Sequence, residues 1–172
     1  MSDLIYLDNA ATSFPKPPEV IEAMATFLRE EAVNPGRAGY DLAIAAGLRL
    51  DGARELLGEF FGNPAHDRDR TCFALNATAG LNMIIQGVCR EGDHVVSTRL
   101  EHNSVLRPLF ELERSGRITH DLVPADGDGF VDPDDIARAI GPDTRLVIVN
   151  HGSNVLGTIQ DAAAIGRVCR EK

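Results

Sequence analysis

The chain has 172 residues, of which 44% are hydrophobic, and its 26 acidic and 17 basic residues give a formal net charge of −9. This composition excludes a disordered protein, because there is enough apolar material for one domain with a core. The acidic balance, without any Lys or Arg run, argues against nucleic acid as a partner. No apolar stretch is long enough for a membrane span and no signal-peptide pattern opens the chain, so we expect a cytoplasmic protein with no membrane partner.

The first 65 residues are predicted to form an extended and helical segment. A short extended piece at 5–7 is followed by helices at 18–32 and 40–61, separated by Asn34, Pro35 and Gly36. Val20, Met24, Phe27 and Leu28 recur at helical spacing and predict an apolar face on the first helix. We expect one structural segment over 1–65 and an α/β domain over 66–172.

Strands and helices alternate after residue 70. Strands are predicted at 72–75, 94–97, 119–123 and 145–149, and helices at 78–89, 104–114, 133–140 and from 161 onward. This alternation predicts an α/β fold, a mainly parallel sheet with helices on both faces.

Residues 76–80 are a candidate anion site, because they join a predicted strand to an amphipathic helix. Small residues and the hydroxyl of Thr78 lie where the helix dipole and free N–H groups favour a phosphate. Asn76 is predicted to take a positive φ in this turn. A Thr near a helix start is also typical of ordinary capping, and the segment taken alone favours capping over an anion site. Gly127, Asp128 and Gly129 are interpreted as a solvated turn.

Two further polar loops follow predicted strands, at 101–103 and 150–157. Because the carboxyl ends of parallel strands meet at one edge of a sheet, we expect these loops and 76–79 to form one ligand site. His102 is the candidate catalytic residue there. The five histidines share no ligand spacing, so no metal is expected.

The few cysteines and lysines of the chain limit the kinds of site and mechanism that it can support. Cys72, Cys89 and Cys169 lack CxxC spacing, so neither a disulfide framework nor a thiolate metal site is predicted, and none lies beside a predicted base. The only lysines are Lys16 and Lys172. A mechanism that needs a buried lysine has almost no residue to use.

Five ordered motifs resemble the class V aminotransferase family of pyridoxal-phosphate enzymes, and most closely its cysteine desulfurase and selenocysteine lyase-like branch. They are YLDNAATSFPKP at 6–17, NPGRAG at 34–39, NAT at 76–78, EHNS at 101–104 and NHGSNVLGT at 150–158. The resemblance implies the fold-type-I large domain. Family members are roughly twice as long, so the match is to their amino-terminal half.

The resemblance also implies roles for individual residues. Ala77 and Thr78 would hold the phosphate of pyridoxal 5′-phosphate, His102 would stack on its ring, and Asn154 would donate to its phenolic oxygen. The substrate side would be lined by Asn9, Ala11, Thr12 and Arg37.

The activity implied is that of a cysteine desulfurase, which converts L-cysteine to L-alanine and leaves a persulfide sulfur on the enzyme. The cofactor requires a Schiff-base lysine and an acidic partner for its ring nitrogen. In the family both lie in the later half, with the persulfide cysteine, so we expect this chain alone to be inactive. A homodimer and a sulfur acceptor protein are expected for the complete enzyme. The alternatives are another class V aminotransferase or lyase activity, a non-catalytic half-domain that pairs with a full-length relative, and a plain fragment.

The resemblance predicts an incomplete sheet as well. The strand at 72–75 would pair with strands of the later half, and a later strand would lie between those at 94–97 and 145–149. Unpaired apolar edges predict low stability for the chain alone.

Overall fold

The computed structural model describes residues 4–36, 39–63 and 67–172. The chain divides into two units, Met1–Phe73 and Ala74–Lys172. The predicted boundary at 65–66 lies outside the described residues.

The first unit is helical. Helix α1 covers Pro18–Glu30, helix α2 covers Asp41–Phe60, and a short 3₁₀ turn covers Arg68–Arg70. Pro18 occupies the first turn of α1, where its missing N–H leaves no hydrogen bond unmade. Both predicted helices are present, but Val20, Met24 and Leu28 of the predicted apolar face are exposed. On α2 the buried residues are Ala43, Ala46 and Gly58. The residues that are buried in the described part of the first unit are thus small ones.

The second unit alternates helices and strands. In chain order it contains α3 (Ala77–Val88), β1 (Asp93–Thr98), α4 (Asn103–Arg114), β2 (Ile118–Val123), α5 (Pro133–Ala139), β3 (Thr144–Val147) and α6 (Ala162–Glu171). The strands described form a parallel sheet in the order β2-β1-β3. The predicted α/β class with a mainly parallel sheet is confirmed.

The core of the second unit lies on both faces of this sheet. On one face Val95 packs with apolar residues of α3 and α4, which include Ile85, Val105 and Leu109. On the other face Val96 packs with residues that include Ile136 of α5 and Ile165 of α6. The predicted helices on both faces are therefore present.

The order of the strands differs from the expectation in one respect. Strand β1 pairs directly with β3, in the register His94 with Thr144 and Val96 with Val147. The pairing continues past β3, where the N–H of Ile148 donates to the carbonyl of Val96 at 2.9 Å. The expectation of a later strand between these two is wrong, because β2 and β3 already occupy the two hydrogen-bonding edges of β1.

Residues 72–75 form no strand in this structure. Cys72 is exposed, as are Phe73 and Leu75, the latter at 93% of its surface. A strand exists only where a neighbour completes its ladder, and none of the described strands pairs with this segment. The predicted buried strand is wrong for this structure, although its apolar pattern is present. Within the described ranges, no helix has the length and apolar character needed to cross a bilayer.

Candidate functional site

One pocket of about 500 Å³ opens at the carboxyl ends of β1 and β3. Its walls are the loop that follows β1, residues 99–103, and the loop that follows β3, at residues 153–156. His102 and Asn154 both line it. The parallel sheet thus brings together two predicted site residues that lie 52 positions apart in the sequence.

His102 is fixed by the helix that it begins. It is the N-cap of α4, and its Nδ1 accepts the N–H of Ser104 at 3.1 Å and lies 2.8 Å from the Ser104 hydroxyl. A backbone N–H can only donate, so Nδ1 carries the lone pair and the neutral ring holds its proton on Nε2. The side chain is exposed at the pocket with that N–H available.

Glu101 is the buried carboxyl of this site. Its Oε1 accepts the hydroxyl of Thr98 at 3.0 Å and the N–H of Asn150 at 2.6 Å. Burial raises the pKa of Glu101, and the hydrogen bonds from Asn150 and Thr98 oppose that rise. The carboxyl therefore joins the loop after β1 to the loop after β3. Sequence reasoning included Glu101 in a motif but assigned it no role.

Asn154 is presented at the tip of a small hairpin. A bridge between Gly152 and Ile159 closes the hairpin, and the N–H of Ser153 donates to the carbonyl of Thr158 at 2.9 Å. The buried Ser153 hydroxyl accepts the N–H groups of Val155 and Leu156 at 3.3 and 3.1 Å. These bonds hold the backbone of the tip while the Asn154 side chain stays exposed.

The base of the hairpin is anchored by Gln160, which is 2% exposed. Its Nε2 donates to the carbonyl of Gly129 at 2.9 Å, and its Oε1 accepts the N–H of Val131 at 2.8 Å. Gly129 has a φ of +85°, and a Cβ built there would lie 2.8 Å from Cδ1 of Leu156. The predicted solvated turn is thus exposed at 126–128 but packs against the hairpin at Gly129. A glycine beside a polar turn was the only sequence signal for this contact.

Helix α3 begins with a side-chain cap. The Oδ1 of Asn76 accepts the N–H of Ala79 at 2.8 Å, and Asn76 has a φ of −162°. The predicted positive φ is wrong, because an N-cap residue takes an extended conformation. Thr78 lies inside the first turn, so it is not the cap. The N–H groups of Ala77 and Thr78 precede the one that Asn76 satisfies, at positions where a helix offers no internal acceptor. Neither residue lines the pocket of His102 and Asn154.

The predicted substrate residues belong to the first unit. Asn9 holds its own loop, donating to the carbonyl of Tyr6 at 3.4 Å and accepting the N–H of Phe14 at 3.3 Å. The hydroxyl of Thr12 accepts Nζ of Lys16 at 2.8 Å. Asn9, Ala11 and Thr12 are exposed. Arg37 lies outside the described residues.

The cysteines differ in access. Cys72 and Cys169 are exposed and Cys89 is buried. Burial raises the pKa of the Cys89 thiol, the charge of Asp93 raises it further, and Arg117 and Arg145 oppose the rise. In the described part of the chain, no three His, Cys, Asp or Glu side chains are grouped to hold a metal ion.

Curated proteins and solved structures resemble this chain over nearly its full length. A "Probable cysteine desulfurase" of Methanothermobacter thermautotrophicus is 37% identical and aligns with 99% of this chain and 42% of its own. A cysteine desulfurase IscS of Dictyoglomus turgidum is 35% identical, over 97% of this chain and 42% of its own.

Two solved structures are similar at the level of the fold. The apo cysteine desulfurase of Thermococcus onnurineus has a TM-score of 0.87 at 28% identity, covering 99% of this chain and 42% of that one. SspA in complex with cysteine has a TM-score of 0.86 at 28% identity, covering 96% and 47%.

The chain spans about 42% of the length of these curated relatives. The family model of the class V aminotransferases matches residues 5–172. This match agrees with the alternating helices and strands and with the pocket at the strand ends. The chain therefore belongs to the aminotransferase class-V family.

Proposed function

We propose that this chain is the cofactor-binding, amino-terminal portion of a pyridoxal-phosphate-dependent cysteine desulfurase-like enzyme. Members of the family are pyridoxal-phosphate enzymes. The observation that carries the proposal is that His102 and Asn154, matched to the family's ring contacts, line one pocket at the strand ends.

The donor chemistry fits a phosphorylated pyridine. A planar imidazole with its edge anchored can stack on a ring, and the exposed amide of Asn154 can donate to a phenolic oxygen. The first turn of α3 offers the N–H groups of Ala77 and Thr78 to a phosphate, with the favourable end of the helix dipole.

Pyridoxal phosphate, when bound, supplies an electron sink for bonds at the α-carbon of an amino acid. The residues of this chain orient and hold it. His102 would stack on the ring and keep its Nε2 proton available, Asn154 would fix the ring's rotation, and Ala77 and Thr78 would hold the phosphate.

The substrate in this proposal is L-cysteine. The relatives are named cysteine desulfurases, and one structural neighbour is a complex with cysteine. Asn9, Ala11, Thr12 and Arg37 would contact it. The proposal includes a homodimer, a sulfur acceptor protein and a cytoplasmic location for the complete enzyme.

Catalysis needs a Schiff-base lysine, which the resemblance places in the later half of the family's members. The lysines of this chain are Lys16, whose Nζ donates to Thr12 and to the carbonyl of Ser13, and Lys172, at the end of α6. We therefore expect the chain alone to bind the cofactor without releasing sulfide from cysteine.

The test uses 4-deoxypyridoxine 5′-phosphate, which has the ring, phenolic oxygen and phosphate of the cofactor but no aldehyde, and so needs no lysine. Binding to the chain is followed by ligand fluorescence. His102→Asn removes the ring but keeps an efficient helix cap, and Asn154→Asp removes the amide donor at constant size. Each is expected to weaken binding about tenfold, the effect of one lost contact.

The matched control is His151→Asn, which removes an exposed histidine that does not line the pocket. It should bind as the unmodified chain does. Equal affinity for all four proteins would contradict the assigned site, and no binding to the unmodified chain would contradict the proposed function.

A further inference from the structure

We infer that Glu101 is a positioning residue of the proposed cofactor site, where its carboxylate ties the loop carrying His102 to the hairpin carrying Asn154. The inference rests on the proposed function for its purpose, but the tie itself is a separate property of the fold. Glu101 is not assigned a contact with substrate or cofactor.

The carboxylate makes this link through a single oxygen. Oε1 accepts the Thr98 hydroxyl from the end of β1 and the Asn150 N–H from the chain that leaves β3, residues separated by 3 and 49 positions from Glu101. The Thr98 oxygen in turn accepts the N–H of Leu100 at 3.2 Å. The two loops that wall the pocket are thus linked through one acceptor, on a residue that itself lines the pocket.

Stability does not explain a carboxyl at this position. Glu101 is 9% exposed, and no basic side chain forms an ion pair with it among the described residues. Burial raises its pKa because the charged form loses solvation that the two neutral donors do not fully replace. A neutral side chain would avoid this free-energy cost of burying a charge. Ionisable side chains that lower the stability of the fold are expected at functional positions.

The consequence for the site is geometric. Ser104 fixes the orientation of His102 from the α4 side, and Ser153 fixes the tip that carries Asn154. Each arrangement is internal to its own loop, so neither sets the distance between the ring and the amide. The Ser97 hydroxyl donates to the carbonyl of Ile148 at 3.1 Å, and beyond that link the Glu101 bonds extend the connection from the end of β1 to Asn150, nearer the pocket. The Glu101 bonds therefore add to the constraint on that distance. A ligand that must meet both residues is sensitive to small errors in this spacing.

The tie is tested by amide NMR of the chain over a pH series. Because Asn150 donates directly to Glu101, its amide proton shift should follow ionisation of the carboxyl, with an inflection above the ordinary Glu range. Arg99, His102 and His151 are the other charged or titratable groups of these loops. Glu101→Gln keeps an acceptor oxygen and removes only the Glu101 step, which separates it from the histidines. An Asn150 shift whose inflection survives in Glu101→Gln would overturn the inference.

Ligand binding then tests the positioning role, with 4-deoxypyridoxine 5′-phosphate as the probe. Glu101→Ala removes the shared acceptor and should weaken binding about tenfold, with amide shift changes at both Asn103 and Asn154. Glu101→Gln should restore affinity to within about twofold, because the amide oxygen can accept the same two bonds. Glu91→Gln, an exposed carboxyl in the turn before β1, is the charge control and should change neither.

The outcomes separate the two proposals. If the unmodified chain does not bind the probe, the proposed function fails, and the Asn150 pH series still decides the tie. If the probe binds and Glu101→Ala binds equally well, the positioning role is refuted. A second variant covers the case in which Glu101→Ala folds poorly. Thr98→Val removes one hydrogen-bond donor without altering the carboxyl, and we expect it to lose part of the probe affinity that Glu101→Ala loses.

Discussion

Val95 and Val96 are consecutive residues of β1, both completely buried, and they belong to two separate apolar clusters on opposite faces of the sheet. Side chains alternate across a strand, so a central strand covered on both faces buries consecutive residues, as β1 does from Val95 to Thr98. We expect Val95→Ala and Val96→Ala each to lower the free energy of unfolding by about 2 kcal/mol. Urea denaturation of the two single variants and the double variant checks this. Because the clusters are separate, the double variant should lose about the sum, and a loss far from additive would contradict two independent faces.

Glu101 should make the stability depend on pH. Its pKa is raised in the folded state, mainly by burial, so its contribution is fully present below the ordinary Glu range near about 4.3 and is lost as pH rises through the raised value. Glu101→Gln stays neutral, so it should match the unmodified chain at pH 3.5 and become the more stable protein at pH 8. Denaturation at both pH values measures the difference, with Glu91→Gln as the control. An unmodified chain that gains stability over Glu101→Gln with rising pH would show the opposite sign.

Asn76 caps α3 with its side chain. Asn76→Ala should cost about 1 kcal/mol of unfolding free energy, because the Ala79 N–H loses its acceptor. Gln86→Ala, at an exposed position of the same helix, should leave stability unchanged or slightly higher. Thermal unfolding followed by circular dichroism compares the two. Equal effects would mean that the cap contributes nothing specific.

Gly129 meets two constraints at once, a positive φ and close contact with Leu156. Gly129→Ala should destabilise the second unit by more than about 1 kcal/mol, because the residue is strained and the hairpin must move. Gly127→Ala is the matched control, since it has open space around its Cα and no positive φ. Amide exchange of residues 151–160 should accelerate in the first variant only. Unchanged exchange there would show that the contact does not hold the hairpin.

Cys89 should resist thiol reagents. It is 1% exposed and burial raises its pKa, so both access and thiolate population are low. Under native conditions a disulfide reagent should modify Cys72 and Cys169, and the third thiol should react only with unfolding. Mass spectrometry of the labelled peptides identifies the sites. Labelling of Cys89 at the rate of Cys72 would contradict the packed end of α3.

Local sequence patterns predicted most helices and strands of the second unit, because the caps and apolar spacing that begin, end and orient each element lie within the element itself. The Asp132 cap and Pro133 begin α5, and the helices and strands from α3 to α6 begin and end within a few residues of the predicted positions. The prediction of a strand at 72–75 was wrong, because a strand depends on a pairing partner that no local pattern reveals. The direct pairing of β1 with β3 was missed for the same reason, since strand order is a long-range property.

The sequence predicted which residues line the candidate site, but it did not predict the hydrogen bonds that hold their loops in place. His102 and Asn154 follow strands, so their approach at one edge is a consequence of parallel topology. The links of Glu101 to Asn150 and of Gln160 to Gly129 join residues 49 and 31 positions apart, and neither spacing carries a sequence signal. Asn76 shows the converse case, where the residue was singled out and its conformation was wrong.

The capping of α4 by His102 has a consequence for how a ligand is received. An exposed aromatic side chain usually samples several rotamers, and binding must then select one, at an entropic cost that reduces affinity. Here the bonds to Ser104 select the rotamer during folding. The ring is therefore preorganised, and an arriving planar ligand meets a surface whose orientation the protein has already set.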